Sequence, residues 1–262
     1  MSHDLRVFFV GGYLSYRALF NWMHPTHYIP TMLGAPVFQV LFFAYVGRFA
    51  QLKDDTFFVT GNAVQLTAMA GVYGMAMTIG GERWTQTLSL VLVSPANRFA
   101  LFLGRALPLI VNGFVLSCFG FAVGLALLDF ELEPHVLPAL AACVLVTTAS
   151  CAAFGFIIGS IGLYAREIFV AANLAYIGLL LFCGVNVPLD ELPAWMRAIS
   201  EILPLTHGIE AARLVAGGAA LGSVDGLILR EALVGAGYAA AAYVLFRAFE
   251  AAGRRNASFD RY

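Results

Sequence analysis

The chain has 262 residues, of which 60% are hydrophobic and 12% charged, and a net charge of −1. Soluble domains carry roughly 25% charged residues, so this composition excludes an ordinary soluble domain and implies an all-α integral membrane protein. The near-neutral charge leaves no footprint for nucleic acid. Lys53 is the only lysine and lies in no Gly-x-x-x-x-Gly-Lys-[Ser/Thr] frame, so the chain has no phosphate-binding loop of its own.

In chain order, residues 2–24 come first. Arg6, Arg17, Asn21 and His24 interrupt the segment, and the last three share one helix face. It reads as an amphipathic helix lying in the membrane interface; a seventh span is the competing reading. No signal-peptide pattern is present. His24 and His27, on either side of Pro25, read as interfacial residues at a helix break. Six apolar runs follow, at 28–47, 57–80, 106–128, 137–161, 168–187 and 227–247. Each reaches the 20 or so residues needed to cross hydrocarbon at about 1.5 Å per residue. No repeat or linker divides them, so 1–262 reads as one transmembrane domain. The tail after Arg247 reads as short, basic and poorly ordered.

Basic residues set the orientation. With both termini cytoplasmic, Arg6, Arg17, Arg83, Arg98, Arg105, Arg166, Arg247, Arg254, Arg255 and Arg261 lie inside. Arg48, Lys53, Arg197, Arg213 and Arg230 lie outside, a two-to-one bias. On this reading no charged residue lies deep in a span, which disfavours an ion-coupled carrier. Neutral amides do occur in the spans: Gln39, Asn62, Gln65, Asn112 and Asn173. They need partners in hydrocarbon, either on a neighbouring helix or along a partly wet path. Gly120-x-x-x-Gly124 and Gly155-x-x-x-Gly159 mark close helix approaches within the chain. Cys118, Cys143, Cys151 and Cys183 all fall in apolar runs and read as small buried residues; no disulfide or metal spacing appears.

Enzyme motifs are absent from the reading. Gly159-Ser160-Ile161-Gly162 lacks the Gly-x-Ser-x-Gly frame, and there is no His-Glu-x-x-His. Two other segments stand out. Residues 82–98 are polar at both ends, with Leu88, Val91 and Leu92 on one helix face between them, and Pro95 stops the helix. Residues 188–213 put Trp195, Ile199 and Ile202 on one stripe between Pro193 and Pro204. A second short helix follows Thr206 and stops at Gly217-Gly218. Helices this short cannot span, so they read as a re-entrant or interfacial hairpin.

On these two segments the chain resembles the ABC-2 type membrane subunits of ATP-binding-cassette exporters, such as drug-resistance, nodulation-factor and polysaccharide export permeases. Glu82, Arg83, Thr87, Leu88, Leu92, Ser94, Pro95 and Arg98 match the family pattern of the first segment; Gln86 and Ser89 depart from it. Pro188, Leu192, Pro193, Trp195, Pro204, Leu205, Thr206 and Arg213 match that of the second.

The resemblance implies six transmembrane helices, an N-terminal interfacial helix, a cytoplasmic coupling helix at 84–94 and extracellular re-entrant helices at 189–218. ATPase coupling would involve Glu82, Arg83, Thr87, Leu88, Val91, Leu92, Ser94, Pro95 and Arg98, with Arg166 and Glu167 in a second contact and Arg17 pairing from the interfacial helix. The resemblance also implies two copies of a separate ABC ATPase, which would bind ATP and Mg, and a second membrane subunit, as a homodimer. The location is the bacterial cytoplasmic (inner) membrane, and the direction is export of an amphipathic molecule: a drug, peptide, lipid or lipid-linked saccharide. Gln39, Phe42, Asn62, Gln65, Asn173 and Tyr176 are candidates for the substrate path, together with Phe38, Tyr45, Phe169 and Phe182. The alternative is a standalone carrier or intramembrane enzyme.

Overall fold

The computed structural model describes residues 9–14, 33–51, 54–84, 98–162 and 167–256; for 81–84, 98–100, 246 and 249–256 only the backbone is described. The described residues form helices and connecting turns, with no strand. In a chain this apolar, a helix satisfies every backbone polar group within its own segment. We number the α-helices α1 Ala35–Ala50, α2 Asp55–Ala68, α3 Met75–Trp84, α4 Arg98–Leu127, α5 Leu137–Gly162, α6 Ile168–Phe182, α7 Ala194–Ser200, α8 Thr206–Ala216 and α9 Leu221–Asn256. A π-helical turn, Met69–Gly74, joins α2 to α3.

Among the described residues, four helical stretches are long and apolar enough to cross a membrane: Asp55–Gly80, Leu101–Leu127, Pro134–Gly162 and Leu221–Leu245. α1 and α6 are shorter apolar helices. The first stretch is 72% buried and the last 17%, so α2 with its π turn is the centre of the bundle and α9 lies at its edge. Around that centre Val59, Ala63, Val64 and Ala68 pack with Val40, Phe121, Val144 and Ile209 in one core.

Glycines set the closest approaches. On α4, Gly120 meets Ala63 and Leu66, and Gly124 meets Val59, so α4 lies directly on α2. On α5, a Cβ at Gly155 would come within 2.5 Å of the Gly71 carbonyl oxygen and 2.6 Å of that of Val72. Gly159 meets Ala76 and Ile79 of α3. Both Gly-x-x-x-Gly pairs therefore pack inside the chain, as expected.

Several boundaries differ from the apolar runs. The fifth run ends early, because Gly184 takes φ +71° and turns the chain just after Phe182. The sixth begins early, at Leu221, where Ser223 Oγ donates to the Ala220 carbonyl at 2.6 Å. α9 also runs on through Asn256, so the expected disordered tail is helical to that point; its Ala, Arg and Glu residues are good helix formers. Cys143, Cys151 and Cys183 are buried, but Cys118 faces outward from α4.

At one end of the bundle, Arg48 donates through Nε to Asp55 Oδ1 at 2.8 Å and through a terminal nitrogen to Asp129 Oδ2 at 2.7 Å. This ties together the end of α1, the start of α2 and the turn after α4. At the other end, Ile168 at the start of α6 fills the space beside Gly80 and Gly162, so the ends of α3 and α5 meet there. Residues 9–14 are helical and cross the start of α4: a Cβ at Gly12 would lie 2.9 Å from the Gly104 carbonyl oxygen. Pro108, four residues on, has no N–H to offer that carbonyl.

Candidate functional site

Of the five amides expected in the spans, Gln39, Asn62, Gln65 and Asn173 lie on α1, α2 and α6, and Asn112 lies on α4. Gln39 Nε2 donates to Asn62 Oδ1 at 3.1 Å, and the Tyr176 hydroxyl donates to Gln39 Oε1 at 3.2 Å. Gln65 Nε2 reaches the Tyr176 carbonyl at 3.4 Å. Asn62 Nδ2 donates to the Phe58 carbonyl at 2.9 Å and to Asn186 Oδ1 at 2.7 Å. Four of the six path candidates thus form one network, which recruits Asn186 from the turn after α6. Asn62 and Gln65 are fully buried, so these bonds replace water they cannot reach. The other two candidates separate from it. Asn173 Nδ2 donates to the Phe169 carbonyl in its own helix at 3.1 Å, and Phe42 is exposed, as are Phe38, Tyr45 and Phe169.

The second expected site is the short hairpin. Its helices are α7 and α8, close to the reading from the prolines, and Gly217 caps the second. Trp195 is 62% exposed and meets Phe182 edge-on with ring centroids 6.1 Å apart. Pro204 supplies a carbonyl to the Cys183 thiol at 3.3 Å, and Thr206 opens α8, buried. Pro193 takes the N-cap of α7, where its missing N–H costs nothing.

Arg213 is the anchor of the hairpin. Its guanidinium stacks on the Phe57 ring at 3.6 Å and donates to the Phe57 carbonyl at 3.2 Å and the Val185 carbonyl at 2.8 Å. Gly61 makes room for it: a Cβ there would sit 2.3 Å from the Val185 oxygen and 2.6 Å from the guanidinium. One arginine therefore joins α8, α2 and the turn that carries Asn186.

The third expected site is only partly within view. Glu82 and Arg83 lie on the last turn of α3, Arg98 opens α4, and Glu167 takes the N-cap of α6. Arg17, Thr87, Leu88, Val91, Leu92, Ser94, Pro95 and Arg166 lie outside the described residues. The ends of α3 and α5 and the start of α6 meet around Ile168; residues 85–97 and 163–166 lie outside the described residues. Arg105 stands near that end with its guanidinium 5.1 Å from the Phe102 ring.

One expectation is overturned. Glu231 lies within the Leu221–Leu245 stretch and is fully buried. Its carboxylate accepts the backbone N–H groups of Leu205 at 2.9 Å and Gly208 at 3.1 Å, at the start of α8. A buried carboxyl group is tolerated here because both of its oxygens meet N–H donors at the positive end of a helix. Glu231 falls near the start of the sixth apolar run, 227–247, where it reads as a charge at a span end; its partners lie 23 and 26 residues away, beyond any local pattern.

With this geometry in hand, comparison with known proteins places the chain. The family profile "ABC-2 type transporter" matches residues 12–216. The probable multidrug ABC transporter permease YbhR of Escherichia coli K12 is 22% identical over 155 residues, covering 59% of this chain and 42% of the relative; the O157:H7 protein of the same name matches equally. The chain thus spans less than half the length of these curated relatives. The matched region takes in the amide network, residues 82–98 and the hairpin as far as α8. The chain is an integral membrane protein that belongs to the ABC-2 type transporter family.

Proposed function

We propose that the chain is the permease subunit of an ABC exporter that moves an amphipathic substrate out of the cytoplasm. It pairs with a second membrane subunit, as a homodimer, and with two copies of a separate ATPase that bind ATP and Mg. It lies in the bacterial inner membrane as six spans, α1 and α6 included, with both termini cytoplasmic. The likeness to YbhR, a probable multidrug permease, favours a drug-like substrate over a saccharide.

One observation carries this reading: the described residues that flank the two segments assigned to ATPase contact, at the end of α3 and the facing ends of α5 and α6, meet at Ile168, and the Arg213-anchored hairpin sits where α2 begins, at the opposite end. A motor docked at one end and an exit at the other is what vectorial export needs. The short helix at 84–94 seats its Leu88, Val91 and Leu92 face in the ATPase, and residues 164–167 make a second contact. Glu82, Arg83 and Arg166 position this foothold against Arg17. Such surface pairs are worth only about 0–1 kcal/mol each, so they orient the foothold more than they stabilise it. The network of Gln39, Asn62, Gln65 and Tyr176 lies beside the path, and α7 and α8 close its outer end.

The test is reconstitution with the ATPase in proteoliposomes. The pair hydrolyses ATP and moves an amphipathic dye such as ethidium in one direction; the chain alone hydrolyses none. Dye movement by the chain without any ATPase would defeat the proposal.

A further inference from the structure

The first turn of α8 presents a physical problem that its own sequence does not solve. The opening N–H groups of a helix lack intrahelical partners. Water cannot serve them here, because Leu205, Thr206 and His207 are all buried. The N-cap residue is Leu205, which has no side-chain oxygen to offer. Leu205 also takes φ +89°, a backbone conformation that a leucine adopts only when its surroundings force it. Glu231, on α9, answers both needs. One carboxylate oxygen holds the N–H of the strained Leu205 and the other that of Gly208.

A second tie lies two turns further along α9. The Tyr238 hydroxyl donates to the Ile202 carbonyl at 2.9 Å, and its ring meets Phe154 of α5 edge-on. Residues 231 and 238 share one helix face. On the far side, Gly208 lies so close to α5 that a Cβ would fall 1.9 Å from Thr147 Oγ1. The start of α8 is therefore wedged between α5 and α9, and Arg213 pins its other half to α2. α9 itself continues to the opposite end, where Ala242 packs with Met75, Ile79 and Phe102.

We propose that Glu231 is a positioning residue for transport: its carboxylate latches the first turn of α8 to α9, so that a displacement of α9 at the Ile168 end carries the hairpin with it. This rests on the export reading above, in which the hairpin closes the outer end of the path. Glu231 touches no substrate; it acts through Leu205 and Gly208.

The test uses the full chain in nanodiscs, alone and with its ATPase partner. Amide hydrogen exchange over residues 203–210 reads the latch directly and needs no partner. Glu231→Gln offers one acceptor and one donor where two acceptors are required. It raises exchange at Leu205 and Gly208 about tenfold while α5 stays protected. Tyr238→Phe removes only a hydroxyl, keeps the fold and raises exchange at Leu203 and its neighbours to a smaller extent. In the complex, Glu231→Gln changes kcat for ATP by about threefold or more and leaves KM for ATP unchanged, since the nucleotide lies far from the hairpin. Unchanged exchange in both variants would overturn the latch. Faster exchange with an unaltered kcat would overturn the positioning role and leave a mere helix cap. A wild-type chain that never stimulates its ATPase would count against the export reading alone.

Discussion

The two ends of the bundle are held together by different physics. At the Arg213 end the contacts are directional: Arg48 with Asp55 and Asp129, Asn62 with Gln39 and Asn186, Arg213 with two carbonyls, Glu231 with two N–H groups. From the π turn to the Ile168 end, close contacts among the described residues rest on missing side chains: Gly155 on the Gly71 carbonyl, Gly159 on Ile79, Gly80 and Gly162 on Ile168. Lipid supplies no hydrophobic drive between helices, so close packing and hydrogen bonds carry their association; the Arg213 end adds the directional bonds to close packing, since Gly124 meets Val59 and Gly208 meets Thr147 there. Directional bonds fix register and break all at once. Smooth contacts between glycines and aliphatic side chains let helices slide. Under the proposed function, the sliding end is the one that receives the motor.

Substitutions can break this contrast. The largest effect falls at the glycine contacts, because the obstacle there is backbone. Gly155→Leu pushes α5 off the π turn and costs about 3 kcal/mol, read as a lowered unfolding midpoint in detergent. Next comes Arg213→Ala, which strands the Phe57 and Val185 carbonyls and removes the stack on Phe57. A loss of about 2 kcal/mol is expected in the same assay, and Arg213→Lys restores little because it lacks the planar fork. Asn62→Leu dissolves the amide network at a cost of about 1 kcal/mol, visible as faster exchange over residues 184–188. The smallest effect sharpens the contrast as a control. Nothing lies within 4 Å of a Cβ at Gly178, so Gly178→Ala raises the midpoint slightly, by about 0.5 kcal/mol. A Gly178→Ala loss as large as that of Gly155→Leu would show that the glycine argument is empty.

Sequence made the local features legible. Apolar run length located the main helices, Pro193 and Pro204 framed α7, and Gly217 stopped α8. The Gly-x-x-x-Gly spacings identified close approaches correctly, since small residues at one turn's separation have few other uses in a membrane helix. Long-range pairing was not legible. Asn186 falls at the end of the fifth apolar run, where nothing local marks it; the chain reverses at Gly184 and brings it 2.7 Å from Asn62. Glu231 looks like a charge at a span end until α8 folds back against α9. The π turn left no trace either: its residues, Met-Ala-Gly-Val-Tyr-Gly, continue an apolar run, and only the meeting of Gly71 with Gly155 explains why the helix widens there. Among the path candidates, residue type alone could not separate the networked Tyr176 from the outward-facing Phe42, because both simply sit on apolar helices.

The central claim is that a partner's chemical work enters through residues 82–98. The most direct measurement is ATP turnover by the reconstituted pair, wild type against Leu88→Asp, at saturating ATP. The account predicts that a charge on the apolar face unseats the foothold, so that turnover falls about tenfold or more, to the level of the ATPase subunit alone. Undiminished turnover and dye export by the Leu88→Asp pair would contradict it.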